Sequence, residues 1–262
     1  MKFALITGSS SGIGEQYAKL LAQKGYNIIV VSNRQDENCR VAKYLAQKYG
    51  VTAYPLYADL SKDDAAESIH SSAMQIGEVD ILISNAGVLH FGKFENTTPE
   101  YIDFITALHY TTPMKLCRLF AADMARRGEG KIMIVSSMTA WTPFPTMSLY
   151  GSTKVALKSF AQSLWYELRG SGVSVTTVFP GAVDTPLYNL SESKRRTFRA
   201  LGVMTSPEKV AQKSLRAMFR GCRVVIPGIF TKIAVAVCYL LPAHALLPIM
   251  KIPAIKRILD RV

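Results

Sequence analysis

Acidic residues are scarce in this chain of 262, with 19 Asp and Glu against 31 Lys and Arg and a formal charge of +12. The imbalance is concentrated late. From Leu187 to Val262 there are 14 Lys and Arg against only Glu192, Glu208 and Asp260, a net +11. A field of that sign draws anions, whether a nucleotide phosphate, an acidic substrate carrier or an anionic membrane surface. No zinc-finger spacing, RNA-recognition motif or basic region followed by heptads is present, so nucleic acid is set aside as a partner. Cysteine is scarce too. Cys39, Cys117, Cys222 and Cys238 show no CxxC and no zinc-ligand spacing, so no metal site is expected, and buried free thiols are the favoured reading for most of them.

Linkers, repeats and low-complexity tracts are also missing. One domain over residues 1–262 is therefore expected, and apolar residues at 49% argue against disorder. The opening "MKFALITGSS" reaches glycine-rich sequence after only five apolar or small positions, too few for the apolar region of a signal peptide. A reducing, cytoplasmic compartment is the expectation.

What the chain does contain is alternation. "KFALIT" and "NIIVVS" are short apolar runs separated by a helical stripe at Tyr17, Leu20, Leu21 and Lys24. Further strands are expected at Val51–Tyr57, Val79–Ser84, Lys131–Ser136, Val173–Phe179 and Arg223–Ile226. Several are nearly continuous in apolar character, as parallel strands covered on both faces are. Helices are expected at Glu37–Lys48, Asp63–Met74, Pro99–Arg127, Ser152–Arg169 and Pro207–Phe219. This alternation argues for a Rossmann-like, doubly wound α/β fold, though it leaves the spatial order of the strands open.

"TGSSSGIG", Thr7 to Gly14, follows the first strand and opens the first helix. Gly8 suits the tight turn, Gly12 lets a dinucleotide approach the backbone, and Gly14 allows close helix–sheet packing. The helix N-terminus then offers N–H groups to a pyrophosphate. Gly8, Ser10, Ser11, Gly12, Ile13 and Gly14 are the cofactor residues expected from this turn. The second strand ends in "VVSNRQD", with neutral Ser32 and Asn33 where an acid would bind an adenosine ribose, followed by Arg34. Asn33 and Arg34 therefore favour NADP through a 2′-phosphate, the alternative being a solvated arginine. Asp59, with Leu60 beside it, either receives the adenine amino group or caps the next helix. Asn85, Ala86 and Gly87 either let adenosine lie against backbone or, through the Asn85 amide, tie adjacent strands.

Tyr150 and Lys154 share a helix face, with Cβ atoms about 6 Å apart. A phenol with a pKa near 10 is a poor acid–base group at neutral pH, and a neighbouring ammonium is expected to lower it. Ser137 ends the strand "KIMIVSS" and would bring its hydroxyl to the carboxyl edge of the sheet. With nicotinamide beside this group, Tyr150 would give a proton to a carbonyl oxygen as hydride reaches its carbon. Ser137 would hold that oxygen, and Lys154 would contact the ribose.

These motifs, "TGSSSGIG", "NAG", Ser137, "YGSTK" and "PGAVDT", together resemble the short-chain dehydrogenase/reductase family from about Lys2 through Pro186. The resemblance implies a seven-stranded parallel sheet, catalytic Ser137, Tyr150 and Lys154, and a homodimer or homotetramer. It implies a nicotinamide-binding segment at Pro180, Gly181, Val183 and Thr185, with the Val183 backbone meeting the carboxamide. One position departs: the resemblance would place an asparagine at His109, where it helps bind a water linking the lysine to solvent. Histidine either preserves that relay in altered form or interrupts it, leaving a slow enzyme or a nucleotide-dependent binding or scaffolding protein. Of the other histidines, His70 is expected at the surface. His90 stands either near the substrate entrance or in an unremarkable loop, and His244 in an apolar interface or core.

The resemblance also implies a variable substrate lid, assigned to 187–222. Lys194, Arg195, Arg196 and Arg199 stand there beside Phe198, Leu201 and Met204, a mixture suited to an apolar or acyl substrate on a phosphorylated carrier, or to an amphipathic surface helix. From Ile233 to Met250 no charge occurs in 18 residues, and Pro242 and Pro248 divide the run. The 229–262 extension is read as lipid-facing or acyl-chain-binding instead of transmembrane, with Lys232, Lys251, Lys256, Arg257 and Arg261 placed to meet anionic headgroups. The expected activity is carbonyl–alcohol interconversion on an apolar substrate, such as a 3-oxoacyl compound or steroid.

Overall fold

The computed structural model describes residues 1–185, 196 and 204–240. Among them, strands β1 (Phe3–Thr7), β2 (Asn27–Ser32), β3 (Ala53–Tyr57), β4 (Val79–Ser84), β5 (Gly130–Val135), β6 (Val173–Val178) and β7 (Val224–Val225) form one parallel sheet. Its order is β3-β2-β1-β4-β5-β6-β7. β1 is thus flanked by β2 on one side and β4 on the other, which makes the β1/β4 junction the point where successive connections reverse direction.

Both faces are dry. Leu5, Ile29, Leu82 and Ile134 point to one side, beneath Leu116, Phe120, Leu157 and Leu164. Their neighbours Ile6, Ile28, Ile83 and Met133 point to the other, beneath Tyr17, Leu21, Leu45 and Leu215. Successive residues of a strand face opposite ways, so a strand covered twice must be apolar at nearly every position. β3 lies at the edge, and Pro55 stands there, where a missing N–H costs least.

The helices covering one face are α1 (Gly12–Ala22), α2 (Gln35–Tyr49) and, after the chain has crossed the sheet, α7 (Pro207–Phe219). The other face carries α3 (Ala65–Ile76), α5 (Thr112–Arg127) and α6 (Ser148–Glu167). α7 begins at an Ser206 N-cap that accepts the Lys209 N–H at 3.3 Å, with Pro207 in the first turn, as "SPEKV" suggests. α7 lies within the span assigned to a lid, yet its Val210, Ala211, Leu215 and Met218 are buried as part of the helical layer. Arg196 is exposed and Met204 buried; Lys194, Arg195, Phe198, Arg199 and Leu201 lie outside the described residues, as do Pro242, His244, Pro248, Lys251, Lys256, Arg257 and Arg261.

Three expectations change. The expected helix Pro99–Arg127 is divided: α4 (Pro99–Thr106) runs through a π-helical turn, Ala107–Thr111, into α5. Pro113 lacks the N–H that an α-helix would aim at the His109 carbonyl, so the ladder cannot continue regularly there. Only Cys117 is a buried thiol; Cys39 and Cys222 are exposed and Cys238 is half-buried, because α2 presents Cys39 to solvent and Cys222 sits in the turn after α7. His70 is half-buried, with Nε2 2.6 Å from Asp123 Oδ2 and its ring edge-on to Phe120.

The last described helix, α8 (Ile229–Leu240), starts against the loop after β6. Thr231 is buried there, so close to Gly181 that a Cβ on Gly181 would collide with the threonine hydroxyl. Ile229, Phe230, Ile233, Val237, Tyr239 and Leu240 are exposed. Among the described residues, no helix is long and apolar enough to cross a membrane.

Candidate active site

A cavity of about 580 Å³ lies along the carboxyl edge of the sheet, lined by residues that follow β1 through β6. Gly8, Ser10, Ser11, Gly12 and Ile13 line it, as do Asn33, Arg34, Asp59, Leu60, Asn85, Ala86 and Gly87. So do Ser137, Tyr150, Lys154, Pro180, Gly181, Val183 and Thr185. Of the residues expected from sequence, Gly14 and His109 are not in the lining, and each stands directly behind it.

The glycine turn explains itself sterically. Gly12 has φ +59°, a conformation side chains resist, and it faces Thr185. A Cβ on Gly14 would collide with the Gly8 carbonyl oxygen, so this glycine sets how tightly α1 approaches the strand. Ser11 is the N-cap of α1 and makes no side-chain cap bond, which leaves the first-turn N–H groups open toward the cavity. A dinucleotide fits these residues: glycines where backbone must come close, and a helix dipole where a pyrophosphate would lie.

At the end of β2, Ser32 is buried and turned inward, its Oγ donating to Asn38 Oδ1 at 2.6 Å. Arg34 reaches back across the turn, with Nη2 2.9 Å from Ser10 Oγ and 2.6 Å from Ser11 Oγ. Arg40 adds a second guanidinium, 3.3 Å from the Ser10 carbonyl oxygen. Both alternatives for Asp59 and Asn85 leave a geometric trace. Asp59 Oδ1 accepts from the Ser61 N–H at 3.0 Å and hydroxyl at 2.7 Å, starting the segment before α3, and Asp59 also lines the cavity. Asn85 Nδ2 donates to the Thr7 carbonyl at 3.0 Å, tying the end of β4 to that of β1 from a lining position.

Across the cavity, α6 starts four residues before its expected position, so Tyr150 falls in its first turn and Lys154 in its second. The Ser136 hydroxyl donates to the Lys154 carbonyl at 2.9 Å and anchors α6 to the end of β5. Ser137 follows, in extended conformation, and lines the same cavity as Tyr150. Ser137 Oγ accepts from the Thr139 N–H at 3.2 Å, which limits its rotation.

The electrostatics differ from the expectation. Burial raises the Tyr150 phenol above its usual value, and the nearby Ser137 hydroxyl offsets only part of that. Lys154 Nζ stands 5.6 Å from the phenol ring centroid, and the net shift of the phenol is upward, set by desolvation. Lys154 itself is lowered by burial from 10.5 to about 8, so it is still largely protonated at pH 7. The site therefore holds a protonated phenol beside a buried, easily neutralised amine.

His109 is wholly buried behind Gly87 and Val88. Its Nε2 accepts the Val88 N–H at 2.9 Å, and its Nδ1 lies 3.1 Å from Thr153 Oγ1. His90 packs on Tyr101, ring centroids 4.6 Å apart, and stands outside the lining between its lining neighbours Leu89 and Phe91. Sequence reasoning missed the apolar mouth. Val88, Phe91, Phe104, Leu108, Phe144 and Met147 come from three separated stretches with no shared period, so only their convergence reveals it. The π turn left one signal, Pro113 inside an otherwise helical run.

The family model for short chain dehydrogenase matches residues 2–196. An uncharacterized oxidoreductase of Bacillus subtilis, YmfI, is 38% identical over 189 residues, covering 72% of this chain and 77% of that protein. Other curated relatives are longer, and the match spans as little as 31% of their length. Among solved structures, a short-chain dehydrogenase from Sphingobium yanoikuyae in complex with NADPH superposes with TM-score 0.81 at 26% identity, covering 96% of each chain. The bulky-bulky ketone specific alcohol dehydrogenase from Comamonas testosteroni superposes with TM-score 0.78 at 28% identity, covering 90% of this chain and 92% of that one. The chain belongs to the short-chain dehydrogenase family, and it is an oxidoreductase of that family.

Proposed function

We propose that this family member is an NADP-dependent carbonyl reductase or alcohol dehydrogenase acting on a bulky apolar substrate, of the size of a 3-oxoacyl compound or a steroid. The observation that carries the reading is the convergence of Ser137, Tyr150 and buried Lys154 in the same cavity as the glycine turn. A bound nicotinamide supplies hydride for reduction, or accepts it in the reverse direction. Ser137 holds the carbonyl oxygen, and Tyr150, a phenol that is protonated at neutral pH and that burial keeps so, donates the proton that oxygen needs. Lys154 holds the ribose and, as a cation, stabilises the phenolate left after transfer.

Pro180, Gly181, Val183 and Thr185 would hold the nicotinamide end, the turn from Gly8 to Gly14 the pyrophosphate, and Asp59, Leu60, Asn85, Ala86 and Gly87 the adenosine. Preference for NADP rests on Arg34. Its guanidinium sits between two hydroxyls at the cavity rim, and Ser32, Asn33 and Arg34 include no carboxylate that would repel a 2′-phosphate. The substrate class rests on the apolar mouth around Phe91, Phe104 and Phe144.

The whole chain is read as one domain with a lid within 187–222 and the 229–262 extension, assembling as a homodimer or homotetramer in the cytoplasm. The exposed apolar face of α8, in a strongly basic C-terminal region, supports peripheral contact with anionic lipid. NADPH consumption against ketones of graded length, with Tyr150→Phe as control, tests the reaction. Turnover that rises with apolar bulk and is lost in the variant supports it. NADPH binding without turnover of any ketone would favour the binding-protein alternative.

A further inference from the structure

We propose that His109 is a positioning residue: a neutral imidazole that ties the cavity wall at Val88 to the helix bearing Tyr150 and Lys154, and that carries no proton to either. The inference rests on the reading in which Tyr150 is the proton donor, and it concerns how that donor is held.

Hydrogen-bond accounting settles the tautomer. Nε2 accepts the Val88 backbone N–H at 2.9 Å, so its lone pair is engaged and it bears no hydrogen. The neutral ring then carries its hydrogen on Nδ1, 3.1 Å from Thr153 Oγ1. Thr153 spends its own hydrogen on the Tyr150 carbonyl at 2.8 Å, and so it is free to accept from Nδ1. Every bond is satisfied in this one arrangement. A relay through the ring would need Nε2 to take a proton, breaking the Val88 bond and taking from that N–H its acceptor.

The surroundings oppose a charged ring as well. His109 has no solvent exposure, and the titratable groups facing it are Lys154 and Tyr150 of α6; the Gly87–Val88 loop brings none. Burial and the Lys154 charge both hold the imidazole well below its usual value. The backbone is shaped around the ring. The π-helical turn Ala107–Thr111 carries His109, and Gly87 admits it, since a Cβ at Gly87 would lie 3.0 Å from Nε2. Thr153 stands between Tyr150 and Lys154 in sequence, so a tie at that residue sets the height of both side chains against Val88.

The test uses the full-length protein. Nitrogen-15 spectra of histidine-labelled enzyme, with His109→Asn to assign the signal, are expected to show an Nδ1–H tautomer that does not titrate between about pH 5.5 and 9. An Nε2–H tautomer, or titration within that range, would overturn the proposal. Kinetics give a second arm. His109→Gln places an acceptor near Val88 and loses Thr153, whereas His109→Asn reaches Thr153 and loses Val88. Each is expected to lower kcat about five- to tenfold, with the limbs of its pH profile unmoved. A hundredfold loss of kcat in both variants, with disappearance of a pH limb and an unchanged melting temperature, would make His109 a proton carrier instead. Turnover surviving in Tyr150→Phe would sink the reaction reading and leave the tautomer result standing.

Discussion

Helices α6 and α8 break the usual division between inside and outside in opposite senses. α6 buries a lysine and a tyrosine, Lys154 at 4% and Tyr150 at 8% exposure, whereas α8 leaves Ile233 at 58% and Leu240 at 78%. α6 is held on two sides: to β5 through Ser136, and to the π turn through Thr153 and His109. α8 is anchored chiefly by Thr231 and Val235. A buried amine costs stability and persists where surrounding bonds hold it for chemistry. Exposed apolar groups persist where something outside the described residues can meet them. Under the proposed function, the first inversion serves turnover and the second placement on lipid.

The sharpest way to break this comparison is to disable the buried pair. Tyr150→Phe should lower kcat about 10²- to 10⁴-fold with little change in the thermal melt, because one hydroxyl is removed from a ring that still fills its space. A variant retaining more than a tenth of the turnover would strip α6 of its proposed role. Arg34→Ala comes next: the ratio of kcat/KM for NADPH over NADH should fall about 10- to 100-fold, the worth of one charge-assisted hydrogen bond. An unchanged ratio would return Arg34 to the solvent.

For α8, Ile233→Glu with Val237→Glu should weaken binding to anionic vesicles about tenfold or more while leaving the melting temperature nearly unchanged. Equal binding to vesicles by both proteins would separate the exposed face from lipid. The smallest effect is one on stability, and it tells most about cost. Lys154→Met should abolish turnover yet raise the melting temperature by several degrees near pH 7, since a shift from 10.5 to about 8 corresponds to about 3 kcal/mol at most. The sign follows from linkage. The folded protein releases this proton more readily than the unfolded chain, so the penalty is full below about pH 8 and relieved as pH rises toward 10.5. The melting advantage of the variant should therefore shrink between pH 7 and 9.5.

Most elements are legible in the sequence, for a physical reason particular to this fold. β2 and β4 were expected at the bounds they have, Asn27–Ser32 and Val79–Ser84, because strands buried on both faces tolerate almost no polar residue. α7 was legible to the residue, because Ser206 and Pro207 mark its start through local capping chemistry. The π turn was not, since one proline disturbs a helix without declaring how the backbone will answer. The direction of the Tyr150 shift was also misjudged. Spacing puts a lysine near a phenol, but how deeply both are buried is set by residues distant in the chain.

By itself, then, the chain's order of residues determined the alternation of strand and helix, the glycine turn, and the pairing of Tyr150 with Lys154, all of them matters of neighbours within a few positions. Tertiary structure decided the order of the strands, the apolar mouth, and which charges lost their water. It also decided that both nitrogens of His109 would find partners, at Val88 and at Thr153, 21 and 44 residues away. Those outcomes depend on distances between segments far apart in sequence, and only packing the sheet and its helices together sets them.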